Sequence, residues 1–258
     1  MNDRNIFYSG FTKKHTPDWK CPTCGKGKLT LQAETLRFDE TRESKDTRWP
    51  KPESEVHPTD IKYVYACLFK CSRTNCGEIV SSSGRGTNIG EPTWDEKGED
   101  YEEVFFEYFE PKIFIPPLIL FEMPKQIPEK VRHELLFSFG FFFVDPKAAA
   151  NHARMALELL LDDLKVNRFE VKNRKRRMLS LHKRIELLSP KYEAIRELCF
   201  AIKWSGNAGS HSRETLSKEN ILDIYDIMSS IFTTLYDQEQ KRINKLAKSI
   251  HKNRGPKR

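Results

Sequence analysis

The sequence predicts an α+β protein, in which a small β-rich domain organised around paired cysteines precedes an all-α antiparallel helical bundle. Three observations predict it. Five of the six cysteines, Cys21, Cys24, Cys67, Cys71 and Cys76, fall in the first 76 residues. Apolar residues near them alternate with polar ones, whereas after position 128 they recur at helical spacing. The charge also divides. Residues 1–120 carry 17 Lys and Arg against 20 Asp and Glu, net −3; residues 121–258 carry 27 against 17, net +10.

The cysteines come first in the chain. Cys21-Pro22-Thr23-Cys24-Gly25 is a tight turn that brings two thiolates toward one ion, with a glycine letting the backbone curl beneath them. Cys71-Ser72-Arg73-Thr74-Asn75-Cys76-Gly77 repeats the plan with a four-residue gap. Two such pairs across a long insert predict a zinc ribbon with Cys21, Cys24, Cys71 and Cys76 as ligands. Four thiolates fill a tetrahedron, so the Zn2+ is expected to be structural. Binding energy of roughly 10–16 kcal/mol then helps fold a segment with a poor core. Cys67 shares strand parity with Tyr63, Tyr65 and Phe69, which makes it core-facing; the alternative is that it replaces Cys71.

Within this first domain, residues 1–110, strands are expected at 29–33, 63–69 and 78–80. Residues 39–60 are charged and proline-containing and are expected as an exposed insert. Residues 81–100, with Gly84, Gly86 and Gly90, are expected as loop, since they open no helix that would make a phosphate cradle. Residues 101–109 are an aromatic-rich strand or bridge, and 111–128, with five prolines, an extended connector.

The helical bundle is expected over 129–250. Its first helix carries the apolar run 135–144, and Asp145-Pro146 opens a second that reaches about Leu164. A third is expected over 172–188 with Leu181, Ile185 and Leu188 inward, and a fourth over 191–204 with Ile195, Leu198, Cys199 and Ile202 inward. Ser205-Gly206-Asn207-Ala208-Gly209-Ser210-His211 is expected to leave the helix. A last helix runs from Ser217 to about Ser249, before a basic tail at 251–258. Five helices with short connections make an antiparallel bundle.

Several function classes are excluded by pattern. No apolar run nears the roughly 18 residues of a spanning helix, and the N-terminus lacks the basic-then-apolar order of a secretory signal, so a cytoplasmic protein without a membrane partner is expected. There is no Walker loop, nucleophile elbow, dinucleotide fingerprint or HExxH motif.

Two stretches carry candidate chemistry. Residues 168–184 hold eight Lys and Arg against one acid, Glu170. Arg174, Lys175, Arg176, Arg177, Lys183 and Arg184 are the expected nucleic-acid contacts, RNA first; the bland alternative is a solvated face. Residues 201–211 place Lys203, Asn207 and His211 as candidates around one phosphate, His211 moving a proton and the other two steadying negative charge. A simple helix stop is the alternative. His152 and His182 are further candidates whose default reading is structural.

A resemblance adds to this. Pro124-Lys125-Gln126-Ile127-Pro128, Asp145-Pro146-Lys147-Ala148-Ala149-Ala150 running on through Ala153 to Leu160, Leu181-His182-Lys183-Arg184-Ile185, and Ala201 to His211 resemble the bacterial family of domain of unknown function 4145. That family resembles the HEPN superfamily of helical bundles. The resemblance implies a HEPN-like fold and a metal-independent endoribonuclease of a prokaryotic toxin or phage-defence system. It also implies an active site formed across a homodimer. The superfamily motif is an arginine, four to six residues, then a histidine. His211 matches the histidine and Asn207 a nearby polar position. Positions 204 to 206 are Trp, Ser and Gly, so the nearest upstream cation is Lys203. The competing function is a non-catalytic zinc-ribbon adaptor that binds a protein partner or a nucleic acid. DNA binding through the ribbon is disfavoured by the acidic balance of residues 1–120.

Overall fold

The computed structural model describes residues 4–49, 55–94, 101–211, 216–236 and 238–255, the side chains of residues 101, 206–211, 238–242 and 244 excepted. It is a mixed α and β protein with an N-terminal sheet region and a C-terminal helical region. The chain forms two compact units, Met1–Ile119 with Phe139–Asp145, and Leu120–Ser138 with Pro146–Arg258.

In the first unit the alternation of Tyr63 to Cys71 forms the central strand. β3 (Lys62–Cys71) pairs along one edge with two short strands, β1 (Leu29–Leu31) and β2 (Arg37–Glu40). Along its other edge it pairs with β4 (Ile79–Trp94), which pairs in turn with β5 (Tyr101–Ile115), all antiparallel. Tyr65, Cys67, Phe69 and Cys71 are buried on one face of β3, as a two-residue period requires. The core they join is aromatic. Phe11 lies 5.2 Å from both Tyr65 and Phe69, and Trp19 lies 5.1 Å from Phe114, all nearly edge-to-face. The Trp19 indole N–H donates to the Ile6 carbonyl at 2.8 Å. Phe142 and Phe143 close this core against Phe7 and Phe114.

Three expectations change here. Residues 81–94 are strand, not loop. A Cβ on Gly84 would stand 2.1 Å from the Glu110 carbonyl oxygen, and one on Gly86 2.9 Å from the Phe109 ring, so these glycines are where β4 lies too close to β5 for a side chain. The 39–60 insert is partly ordered into the domain. Asp39 and Glu40 finish β2, and helix α1 (Arg42–Arg48) follows, capped by the Thr41 hydroxyl accepting from the Ser44 amide at 3.2 Å; residues 50–54 lie outside the described residues. The connector is shorter than 111–128, because β5 runs on to Ile115 across a register shift that brings Pro111 opposite Gly84.

Helix α2 (Glu129–Phe141) contributes residues through Ser138 to the second unit. There α3 (Pro146–Asp163), α5 (Glu193–His211) and α6 (Lys218–Tyr236) bury Leu157, Leu160, Ile195, Cys199, Ile202, Tyr225, Met228 and Phe232. The Ser138 hydroxyl donates to the Ala149 carbonyl at 2.7 Å and accepts from the Tyr225 hydroxyl at 2.8 Å, so both buried hydroxyls are satisfied.

The expected third helix is mostly absent. Residues 169–178 form a hairpin, β6 (Phe169–Lys172) and β7 (Lys175–Met178), and only α4 (Leu181–Glu186) is helical. Asn173 and Arg174 take φ of 52° and 59°, the left-handed pair a two-residue hairpin turn requires. The stretch also has no apolar face at helical spacing to bury. Helix α5 runs on to His211, past the expected stop at 204: Gly206 and Gly209 each weaken a helix by about 1 kcal/mol but block none of its hydrogen bonds. The single last helix is instead α6 and α7 (Gln238–Asn253), with position 237 outside the described residues.

Candidate functional site

Both cysteine turns sit at one end of the sheet. The Trp19 carbonyl accepts from the Leu29 amide at 2.9 Å, which folds the first turn back on β1, and the Cys21 amide donates to the Gly27 carbonyl at 2.7 Å. Gly25 takes φ +63° and Gly77 φ +61°, the curl expected of each. Register then does the rest. Leu29 lies opposite Cys71, and the Ser72 amide donates to the Lys28 carbonyl at 2.8 Å while the Lys28 amide donates to the Ser72 hydroxyl at 3.0 Å.

The sulfurs of Cys21, Cys24, Cys71 and Cys76 consequently all lie within 4.8 Å of one another. Cys21 and Cys76 are 3.7 Å apart, as are Cys24 and Cys71. The Gly27 amide donates to the Cys24 sulfur at 3.4 Å. Together with the Lys26 amide this pulls the Cys24 thiol down to about 6, while burial pushes Cys21 up to about 12 and also raises Cys71. Four sulfurs so placed can hold one metal ion. Cys67 is not among them; it is buried on β3, and burial pushes its thiol up to about 12.

The basic strip is split by the fold. Every residue from Phe169 to Met178 is exposed, so Arg174, Lys175, Arg176 and Arg177 stand on the hairpin surface with Lys172. Lys183 is also exposed and donates to Glu186 at 2.8 Å. Arg184 is a correction. It is 2% exposed, and its Nη2 donates to Asp162 Oδ1 at 2.6 Å, so it is an internal ion pair and not a surface contact.

Lys203, Asn207 and His211 fall four residues apart along α5, on one stripe of the helix. The Lys203 ammonium lies 3.2 Å from the centre of the Trp204 ring. The side chains of Asn207 and His211 lie outside the described residues. Lys203 borders an open cleft of about 470 Å³ with Arg154, Ser180, His182 and the buried Arg184. His152 is tied down, its Nδ1 2.5 Å from Glu134 Oε1 and its ring beside Phe137, as a structural histidine would be.

Residues 138–253 match the family model of a domain of unknown function, DUF4145. The resemblance read from the sequence therefore stands for the helical half. A second family model, the domain of unknown function DUF8608, matches residues 9–114 and covers the sheet with its four cysteines. No curated protein matches the chain, and no solved structure matches it.

The sequence reading missed two contributors. Gly27, within the DUF8608 match, stands against the Cys71 sulfur and leaves no mark in spacing alone. Within the DUF4145 match, Arg154 reaches the cleft from α3, where it reads as one more helical cation. Among the described residues no helix is long and apolar enough to cross a membrane.

Proposed function

We propose that this protein engages nucleic acid, RNA first, through its helical unit, and that Cys21, Cys24, Cys71 and Cys76 hold a structural zinc ion that stabilises the sheet unit. The zinc reading is supported by spacing. Four sulfurs at about 2.3 Å from a tetrahedral zinc stand about 3.8 Å apart, close to the 3.7 Å of the two pairs here. A filled tetrahedron leaves no position for substrate, so the ion's part is to hold the fold.

The observation that carries the RNA reading is the hairpin. Its ten residues are exposed and include Lys172, Arg174, Lys175, Arg176 and Arg177 against Glu170 alone. Five cations on a projecting, solvent-facing ribbon suit a polyphosphate. By its likeness to HEPN proteins the chain is further read as a cytoplasmic, homodimeric, metal-independent ribonuclease of a prokaryotic defence or toxin system. In that reaction the ribose 2′-hydroxyl attacks the adjacent phosphorus and the 5′-oxygen leaves. His211 handles a proton, and Lys203 and Asn207 steady the phosphate charge.

The test is incubation of the purified protein with mixed RNA in EDTA, beside His211→Ala and the Arg174/Arg176/Arg177 triple Glu variant. Cleavage lost in His211→Ala supports the ribonuclease. Salt-sensitive binding without cleavage, lost in the triple variant, supports a binding module. Absence of any RNA binding overturns the reading.

A second reading, a non-catalytic adaptor, is favoured by the outer face of the sheet. Val64, Leu68, Ile79, Ile113 and Ile115 are all exposed there, beside a shallow groove of about 440 Å³. An apolar patch of this kind suits a protein partner.

A further inference from the structure

The hairpin has two unlike faces. Phe169 pairs with Met178 and Val171 with Arg176, so these four side chains share one face. Glu170, Lys172, Lys175 and Arg177 share the other. The second face is basic, three cations against Glu170. The first is apolar and exposed, with Phe169 at 40% and Met178 at 66%, and the Arg176 guanidinium lies 3.8 Å from the centre of the Phe169 ring. A guanidinium stacked on a ring is a flat, cationic platform of the kind on which an unpaired nucleobase stacks.

This face leads into the cleft. Met178 ends β7 and also lines the cleft, as do the next residues, Leu179 and Ser180, and the first two of α4, Leu181 and His182. The opposite wall carries Arg154 from α3 and Lys203 from α5. Arg154 shares its charge with Glu158 at 3.3 Å, and the Arg184 charge is held by Asp162. Lys203 is bound to no carboxylate among the described residues and rests on Trp204. Glu158 also lines the cleft, so the charge left for a phosphate is that of Lys203, with Arg154 beside it and the stacking platform at the rim.

We propose that this face and the cleft together form a track for single-stranded RNA. A base stacks on Phe169 and Arg176, and the adjoining phosphodiester is held by Lys203 and Arg154. This rests on the reading of the helical unit as RNA-engaging and names the substrate class. A duplex has its bases already stacked and offers only its backbone, so it uses the basic face but not the platform.

The experiment is fluorescence anisotropy on the full chain, with a short labelled RNA strand and the same sequence as a duplex, over a salt series. The variants are Phe169→Ala, Lys203→Gln and the Arg174/Arg176/Arg177 triple Glu. The strand is expected to bind at least about tenfold more tightly than the duplex, and Phe169→Ala to lose about tenfold for the strand alone. Lys203→Gln, on α5 and outside the hairpin, is expected to lower the salt slope by about one. Equal affinity for strand and duplex overturns the track. So does a strand affinity unchanged in both Phe169→Ala and Lys203→Gln but lost in the triple variant, which leaves the RNA reading standing. A wild type that binds neither form overturns both.

Discussion

A Cβ built on Gly27 would stand 2.4 Å from the sulfur of Cys71. The two residues belong to different cysteine turns, so this contact measures how tightly the second turn is pressed onto the first. Gly25 is glycine for another reason: its φ is +63°, yet nothing lies within 4 Å of its missing Cβ.

The two glycines should therefore fail differently. Gly27→Ala must move the Cys71 sulfur or the backbone that carries it, and a metal affinity at least tenfold weaker is expected. Gly25→Ala bears only left-handed strain, about 1–2 kcal/mol, with the four sulfurs left in place. Zinc content after dialysis against a graded chelator, measured on both variants, checks this. Equal retention in Gly27→Ala and wild type would contradict it.

Thiol counting gives an independent check. Cys67 and Cys199 are buried and their thiols are pushed up to about 12 by burial, so both should stay unreactive toward a disulfide reagent near neutral pH. If the four sulfurs hold a metal ion, the native chain should show almost no reactive thiol, a strong chelator should release those four, and denaturant all six. Fast reaction of all six in the native chain would be inconsistent with a cysteine-held metal.

What was legible in the sequence follows what each residue has to satisfy locally. Cysteine spacing and the alternation of Tyr63 to Cys71 are local signals, and they gave the four-sulfur cluster and the central strand. Strand β4 beyond Val80 was not legible, because Gly84 and Gly86 stand where β5 comes too close for a side chain, which is a tertiary fact. The hairpin was hidden by its charge: exposed on every residue, it has no buried face to set a period. Arg184 reads like its neighbours in sequence, and only Asp162, 22 residues earlier on α3, distinguishes it.

Acid should loosen α1 before the rest of the first unit. Burial opposes ionisation of Glu40, but the Ser44 hydroxyl and the Arg48 guanidinium more than offset it and hold the carboxyl below its ordinary value. Arg48 reaches both of its oxygens, at 3.0 and 2.6 Å. A lowered carboxylate pKa contributes stability that is present above the unfolded value and lost as pH falls through the folded one. Amide exchange in α1 is therefore expected to rise at pH values below the ordinary glutamate range. Glu40→Gln should remove that dependence, at a cost of about 1 kcal/mol at neutral pH. An α1 protected equally at pH 3 and pH 7 would count against the pairing.

Arg184 separates stability from binding. Its guanidinium is inside the helical unit, paired to Asp162, while its Nε is buried with no hydrogen-bond partner among the described residues. Removing one member of a wholly buried ion pair costs about 3–5 kcal/mol. Asp162 is 27% exposed and keeps Arg168 at 3.3 Å, so Arg184→Met should cost less, about 2 kcal/mol. Arg184→Met combined with Asp162→Leu should recover part of that loss, because no buried charge is then left unpaired and Arg168, which loses Asp162, is half exposed and solvated. Arg176→Ala, on the exposed hairpin, should change stability by no more than about 0.5 kcal/mol. Urea denaturation of the four proteins reads this as shifts in midpoint at constant slope. In RNA binding the order reverses: folded Arg184→Met should bind as wild type does, and Arg176→Ala should not. An Arg184→Met variant of unchanged midpoint and weakened RNA affinity would return Arg184 to the binding surface.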